Sequence, residues 1–118
     1  MRVVIIEDEK PSMELMKIIM GRNPYFEIIG SFFCAKEALE QIRELVPDVI
    51  FSDIGLPDMN GMQLAKAVMN FNENIQIVFV TAYEKYALDA FKVNAVNYIL
   101  KPITEEDLNI TANRLMKN

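Results

Sequence analysis

The chain has 118 residues, of which 52% are hydrophobic and 25% charged, and its formal net charge is −5. This length suits one domain with its own hydrophobic core, and because the chain has no histidine, nucleophile pairs that use histidine and histidine-ligated zinc are excluded. The single cysteine, Cys34, excludes an internal disulfide, and the scattered lysines and arginines give no sign of direct nucleic-acid binding.

The first half of the chain alternates between strand and helix patterns. Residues 2–6 are a continuous apolar run, which is typical of a strand buried on both faces. Residues 11–22 follow with apolar side chains at helical spacing, and residues 35–45 repeat that pattern. Between these two helices, residues 26–33 predict a less regular strand, which we expect at the edge of a sheet.

The second half continues the alternation. In chain order it predicts a strand at 49–53, a helix that begins at the capping-box pair Asn60 and Gln63, a strand at 76–81, a helix at 84–93, a strand at 97–100 and a helix at 104–117. Five strand–helix units with short connections predict an α/β fold in which helices cover both faces of a parallel sheet. We expect one domain over residues 1–118, with no output domain in this chain, no membrane span and a cytoplasmic location.

Polar side chains follow four of the predicted strands at the point where each strand ends. Glu7 and Asp8 follow the first strand, Asp53 ends the third, Thr81 ends the fourth and Lys101 follows the fifth. Each of them alone has an ordinary structural explanation, such as a carboxylate that caps a turn or a surface lysine. Because the carboxyl ends of parallel strands share one edge, where ligands gather in open α/β sheets, the set predicts one site.

The whole chain resembles a response-regulator receiver domain, the CheY-like phospho-acceptor module of two-component signalling. The resemblance rests on these motifs: the acidic pair Glu7-Asp8, Asp53 with its loop Asp-Ile-Gly-Leu-Pro-Asp-Met-Asn-Gly, Thr81-Ala82, and Lys101-Pro102 with Tyr98 three residues before the lysine. It implies a flavodoxin-like, doubly wound fold, with five parallel strands in the order 2-1-3-4-5 and five helices.

The resemblance assigns a role to each residue of the phosphoryl site. Asp53 is the nucleophile that accepts a phosphoryl group from the phosphohistidine of a sensor histidine kinase. Lys101, aimed by a cis bond before Pro102, and Thr81 contact the phosphoryl oxygens. The chain would therefore be a signalling protein that catalyses its own phosphorylation and slow self-dephosphorylation, and not an enzyme for an external substrate.

Mg²⁺ is the cofactor that the resemblance implies. Its expected ligands are Asp8, Asp53 and the backbone carbonyl of Gly55, with Glu7 helping, and oxygen ligands of this kind are those that Mg²⁺ prefers. Glu7 departs from the family pattern, which more often has aspartate there. The longer side chain moves the carboxylate outward by about one bond length, so the departure bears on metal affinity.

Thr81 and Tyr98 are the switch residues that the resemblance implies. Thr81 moves toward the phosphoryl group, and the Tyr98 ring fills the space that it leaves. The output face then consists of helix 84–93, strand 97–100 and helix 104–117, and we expect it to form a self-dimer. Its apolar candidates are Tyr86, Phe91 and Val93.

Two further expectations come from the same resemblance. Gly55 and Tyr83 occupy positions that influence the lifetime of the phosphoryl group, and since neither offers a group that holds an attacking water, slow self-hydrolysis is expected. The stretch from Thr81 to Ile103 is similar to receivers that are fused to LytTR-type DNA-binding domains. This similarity implies that the full protein regulates transcription.

Three alternatives compete with a phosphorylated switch. A pseudo-receiver would use the fold as a constitutive interaction module, and only the unusual Glu7 favours it. A flavin carrier would need a phosphate-binding loop after the first strand, where Glu7-Asp8-Glu9 would instead repel phosphate. A haloacid-dehalogenase-type phosphatase would have a second aspartate two residues after Asp53, where this chain has Gly55.

Overall fold

The strands and helices of the computed structural model, which describes residues 1–117, alternate along the chain. The strands are β1 (Arg2–Ile6), β2 (Glu27–Phe32), β3 (Val49–Ser52), β4 (Gln76–Thr81) and β5 (Asn97–Leu100). The helices are α1 (Lys10–Gly21), α2 (Ala35–Leu45), α3 (Gly61–Phe71), α4 (Ala87–Lys92) and α5 (Glu105–Lys117), and a 3₁₀ turn (Glu84–Tyr86) precedes α4. No helix within the described residues is both long enough and apolar enough to span a membrane.

All strand pairs are parallel, and the order across the sheet is β2-β1-β3-β4-β5. This order confirms the predicted flavodoxin-like, doubly wound arrangement with five helices. β2 lies at one edge, as its irregular pattern predicted, and its register with β1 shifts between Val3 and Val4. The strands β1, β3 and β4 each pair with a neighbour on both sides.

The sheet separates two hydrophobic cores, because successive side chains of a buried strand point to opposite faces. On β1, Val4 and Ile6 contribute to the core beneath α2, α3 and α4. Val3 and Ile5 contribute to the other core, which packs against α1 and α5. This arrangement explains why the strand reads as a continuous apolar run.

Residues 84–92 are helical, close to the helix predicted near 84–93, but the first turn is not α-helical. Residues 84–86 form the 3₁₀ turn, in which no residue is buried, so packing does not favour a regular first turn of α-helix. Val93 follows the last residue of α4, and its side chain lies in the core and not on the surface. Val93 is therefore not one of the exposed apolar candidates of the output face.

Candidate functional site

Backbone hydrogen bonds bring the ends of the strands together at the carboxyl edge of the sheet. The amide of Asp53 donates to the carbonyl of Ile6 at 3.0 Å, which fixes the residue after β3 beside the end of β1. The amide of Lys101 donates to the carbonyl of Thr81 at 2.9 Å, which fixes the residue after β5 beside the end of β4. These two bonds extend the parallel pairing by one residue beyond the strands, and they place Asp53 and Lys101 at the same edge of the sheet.

The ammonium of Lys101 lies among three carboxylates. Its Nζ is 2.5 Å from Glu7 Oε1, 2.7 Å from Asp53 Oδ2 and 3.2 Å from Glu9 Oε1. Glu7 and Asp53 are buried, whereas Glu9 is exposed. Burial alone would lower the pKa of Lys101, but the hydrogen bonds that it donates to Asp53 and Glu7 outweigh burial and raise the pKa above its ordinary value. The lysine is therefore a cation at neutral pH.

Asp53 and Glu7 respond differently to the same lysine. Burial would raise the pKa of Asp53, but the Lys101 hydrogen bond and charge, followed by Thr81 and the Gly55 amide, lower it below its ordinary value. Burial dominates at Glu7 and raises its pKa, although its bond to Lys101 acts against this. The site therefore favours the charged form of Asp53 more strongly than that of Glu7.

The two oxygens of the Asp53 carboxylate have different partners. Oδ1 accepts hydrogen bonds from the amides of Ile54 at 2.6 Å and Gly55 at 3.2 Å. Oδ2 accepts a hydrogen bond from Lys101. The backbone therefore orients the carboxylate through one oxygen and leaves the other directed at the lysine.

Glu7, Asp8 and Asp53 form an acidic cluster, in which one oxygen of each residue lies within 4.8 Å of the others. Asp8 is exposed while the other two are buried, so the cluster opens to solvent on one side. Its donors are all carboxylate oxygens, which fit a hard cation such as Mg²⁺. The structure thus brings Glu7, Asp8 and Asp53 together. Gly55 contacts Asp53 through its amide, whereas the prediction gave its carbonyl oxygen as the ligand.

Two partners of Glu7 were missed by the sequence prediction. The hydroxyl of Ser12 donates to Glu7 Oε1 at 2.8 Å, and the amide of Glu9 donates to Glu7 Oε2 at 3.0 Å. Both partners lie at the start of α1, just after the acidic pair, and a serine one turn into a helix gives only a weak signal. Together with Lys101, they hold the unusual glutamate in one orientation.

Thr81 and Tyr98 are linked through the backbone of one residue, Tyr83. Thr81 is fully buried, and its Oγ1 accepts a hydrogen bond from the amide of Tyr83 at 3.3 Å. The Tyr98 hydroxyl donates to the carbonyl of the same Tyr83, and its ring packs against Phe79 with the centroids 6.4 Å apart. Partial burial raises the pKa of Tyr98, so its hydroxyl stays protonated and able to donate.

The ring of Tyr83 lies over Gly55. Its Cε2 is 3.0 Å from the point where a Cβ on Gly55 would stand, so a larger residue there would displace the ring. Tyr83 is itself half exposed and meets Tyr86 edge to face, at 6.2 Å between the ring centroids. An aromatic cover therefore lies beside the loop that follows Asp53.

Residues 53–61, which we call the acceptor loop, return to their own starting point. The amide of Gly61 donates to the carbonyl of Ile54 at 2.7 Å. A Cβ on Gly61 would collide with the carbonyl oxygen of Asp53 and stand 2.7 Å from Ile54 Cα. The sequence signalled this loop by its glycines and proline, and the close approach explains why position 61 needs glycine.

Among the apolar candidates for the output face, Phe91 is 84% exposed and Tyr86 is half-buried. Leu88, which was not predicted, is 81% exposed on the same helix, one turn before Phe91. Side chains three apart on a helix lie on one face. These two residues therefore form a small apolar patch on α4.

Known proteins resemble the chain over its whole length. The model of the family "Response regulator receiver domain" matches residues 3–113. LytT of Bacillus cereus, a sensory transduction protein, is 38% identical over 117 residues, which cover 99% of this chain and 48% of LytT. The transcriptional regulatory protein BtsR of Salmonella typhi is 36% identical over 97% of this chain and 47% of its own length. The chain thus spans about half the length of these relatives.

Solved structures agree with this similarity. The response regulatory domain of mrkE from Klebsiella pneumoniae matches with a TM-score of 0.90 and 32% identity, over 99% of this chain and 96% of that domain. The isolated receiver domain of RcsB from Salmonella enterica, at 20% identity and a TM-score of 0.90, shares the fold. A family match from Val3 to Asn113 shows that this chain belongs to the response regulator receiver domains of two-component systems.

Proposed function

We propose that Asp53 accepts a phosphoryl group from the phosphohistidine of a sensor histidine kinase. In this transfer Oδ2 of Asp53 forms a bond to phosphorus while the phosphorus–nitrogen bond of the donor breaks, and the imidazole nitrogen leaves with the electron pair. The observation that carries the proposal is the 2.7 Å contact between Asp53 Oδ2 and Lys101 Nζ, in a carboxylate whose other oxygen is anchored by two amides.

Lys101 and Thr81 are proposed to stabilise the transferred group. Phosphoryl transfer depends mainly on positioning and on neutralising the oxygens around phosphorus. The Lys101 ammonium is a mobile point charge on a flexible stem, so it can pass from the Asp53 carboxylate to a phosphoryl oxygen beside it. The Thr81 hydroxyl would donate a hydrogen bond to another of these oxygens.

Receiver domains bind Mg²⁺ at an acidic pocket, and the cluster of Glu7, Asp8 and Asp53 fits that ion by its donor chemistry. We propose that Asp8, Asp53 and the Gly55 carbonyl hold the ion directly and that Glu7 supports them. When bound, Mg²⁺ supplies positive charge that neutralises phosphoryl oxygens. The hydrogen bonds from Ser12 and Glu9 would keep Glu7 facing this pocket.

We further propose that Thr81 and Tyr98 transmit phosphorylation to an output face made of the 3₁₀ turn, α4, β5 and α5. Both side chains bond to the backbone of Tyr83, so a movement of Thr81 toward a phosphoryl group would shift the anchor of Tyr98. Such a change is a population shift between two packings. The apolar patch of Leu88 and Phe91 supports a self-dimer through this face.

The aspartyl phosphate is proposed to be long-lived. Gly55 has no side chain that could hold an attacking water, and the Tyr83 ring beside it covers the approach from that side. Self-dephosphorylation is therefore expected to be slow.

The full protein is proposed to carry an output domain. Its relatives LytT and BtsR are about twice as long as this chain and are named for sensory transduction and transcriptional regulation. We propose that residues 1–118 form one receiver domain in the cytoplasm and that a LytTR-type DNA-binding domain contacts DNA. With a net charge of −5, the receiver domain itself is not expected to bind nucleic acid.

Intact mass after incubation with acetyl phosphate tests the central proposal. One added phosphoryl group is expected, dependent on Mg²⁺ and absent in Asp53→Ala. Asp48→Ala is the matched control, because Asp48 is an exposed aspartate that bonds the Arg2 amide at the opposite edge of the sheet. An unmodified wild-type chain, beside a receiver that is modified in parallel, would contradict the proposal.

A further inference from the structure

We propose that Asp58 is a positioning residue, which holds the acceptor loop against the start of α2 and so keeps Asp53 in its reactive orientation. The inference rests on the proposed function, since it concerns the orientation of the proposed acceptor. Asp58 does not itself touch the reacting atoms. It lies in the acceptor loop, five residues after Asp53.

Both carboxylate oxygens of Asp58 are used. Oδ1 accepts a hydrogen bond from the amide of Ala35 at 2.9 Å, and Oδ2 accepts one from the amide of Lys36 at 2.8 Å. The residue at the N-cap position of α2, Cys34, makes no side-chain cap. Asp58 therefore caps α2 from a segment more than 20 residues away in sequence. These amide bonds overcome the opposing effect of burial and lower the pKa of Asp58, which keeps it charged.

Residues 32–36, which run from the last residue of β2 into the first turn of α2, bond to both Glu7 and the acceptor loop. At the start of this segment, the carbonyl of Phe32 accepts a hydrogen bond from the amide of Glu7 at 3.0 Å. At its end, the amides of Ala35 and Lys36 hold Asp58. One short connection thus joins the acidic residues after β1 to the loop after β3, although none of its residues lies among the carboxylates.

A displacement of Asp58 would reach Asp53, because hydrogen bonds close the acceptor loop at its base. The Gly61 amide bonds the Ile54 carbonyl at 2.7 Å, and Gly55 pairs with Asn60 in an isolated β-bridge. Ile54 and Gly55 are the residues whose amides orient Asp53 Oδ1. A shift at Asp58 would therefore move the two donors that align the acceptor.

The first test compares Asp58→Asn and Asp58→Ala with Asp48→Asn, under conditions in which circular dichroism shows all variants to be folded. Asparagine keeps one acceptor oxygen and alanine keeps none. The maximal rate of phosphorylation by acetyl phosphate should therefore be lower in Asp58→Asn than in the wild type, and lowest in Asp58→Ala. We expect the maximal rate to fall about tenfold in Asp58→Ala. Removing a group that orients a metal ligand typically lowers activity by about 10- to 100-fold, and Asp58 acts less directly than such a group. The half-saturating donor concentration should stay unchanged, and Asp48→Asn should keep the wild-type rate.

A second variant separates positioning from simple capping of α2. In the double variant Asp58→Ala with Cys34→Ser, serine supplies a local cap and should restore the thermal stability of α2. If Asp58 positions the acceptor loop, the phosphorylation rate of this double variant should stay low. Recovery of the full rate in the double variant, or a wild-type maximal rate in Asp58→Ala, would overturn the inference.

Amide hydrogen exchange distinguishes this inference from the proposed function. Loss of Asp58 should speed the exchange of the Gly61 and Ile54 amides, measured without any phosphodonor. Unchanged exchange at both amides would overturn the inference even if the wild-type chain is phosphorylated. If the wild-type chain takes no phosphoryl group, the proposed function fails, and the exchange data still decide whether Asp58 holds the loop.

Discussion

Lys101 and Glu7 form a buried ion pair, with 2.5 Å between Nζ and Oε1, and the same ammonium also bonds Asp53. One positive charge therefore compensates two carboxylates that have little access to solvent. Breaking a buried pair by removing one partner is costly, because the remaining charge has neither water nor a counterion. The stability of the domain and the chemistry of the site thus depend on the same side chain.

Replacing Lys101 with methionine should destabilise the domain at neutral pH. The side chain is 15% exposed, and loss of one partner from a buried pair costs about 3–5 kcal/mol. Urea unfolding at pH 7 measures this change. The matched control is Lys92→Met, whose pair with Asp89 has a 79% exposed lysine and should change stability by less than about 1 kcal/mol. Equal effects of the two variants would contradict the role of Lys101.

Stability should depend on pH in two separate windows. The pKa of Asp53 lies below its ordinary 3.8 in the folded state, so its contribution is present above pH 3.8 and is lost as the pH falls through the folded pKa. The pKa of Glu7 lies above its ordinary 4.5, so its contribution is present below pH 4.5 and is lost as the pH rises through the folded pKa. Urea unfolding across pH 3 to 9 should show the upper decline in the wild type and not in Glu7→Gln.

Tyr98→Phe should weaken the coupling between phosphorylation and the self-dimer while leaving the phosphorylation rate unchanged. The substitution keeps the ring against Phe79 and removes only the hydroxyl that donates to the Tyr83 carbonyl. One hydrogen bond is worth about 1 kcal/mol, which is about fivefold in the dimer dissociation constant of the phosphorylated protein. Sedimentation equilibrium measures it, with Tyr25→Phe on the opposite core as the control.

Phe91→Asp should abolish the phosphorylation-dependent dimer without unfolding the domain. Phe91 is 84% exposed, so its ring contributes little to the core, whereas an interface would bury it. Loss of a central aromatic contact costs about 2 kcal/mol or more, so the dissociation constant should rise by about 30-fold or more. Ile18→Asp, at a 54% exposed position on α1, should leave the dimer intact. Dimers of unchanged affinity in Phe91→Asp would place the interface elsewhere.

Gly61→Ala should be destabilising, and Gly21→Ala should not. The new methyl group at position 61 would collide with backbone atoms of Asp53 and Ile54, and overpacking of this kind costs about 1–3 kcal/mol. At position 21 nothing lies within 4 Å, and alanine favours a helix more than glycine does. Thermal unfolding compares the two variants, and Gly61→Ala should also lose phosphorylation because the acceptor loop must shift.

Much of the fold could be predicted because it is encoded locally. Apolar runs and helical spacing gave the alternation of elements, and the capping box of Asn60 and Gln63 begins α3 as predicted. The Lys101-Pro102 peptide bond is cis, as the resemblance implied. The residues at the strand ends meet because parallel strands share an edge, which depends on topology alone.

The contacts that could not be predicted join distant segments or depend on weak packing. The link from Asp58 to α2 spans more than 20 residues, and no periodicity encodes it. The bonds from Ser12 and Glu9 to Glu7 depend on how α1 leaves the sheet. Val93 was misassigned because helical spacing alone did not reveal that the chain turns this side chain into the core where α4 ends.

Within the described part of the chain, Ala90 is the one buried residue of α4, and it holds this helix to the sheet together with Val93 just after the helix and the half-buried Tyr86 just before it. α5, on the other side, contributes Leu108, Ala112 and Leu115 to a core that it shares with α1. Segments with few buried apolar contacts open locally at low free energy. We therefore expect α4 to open or re-dock at a lower free energy than α5, so that a weak signal would move this side of the domain before the other.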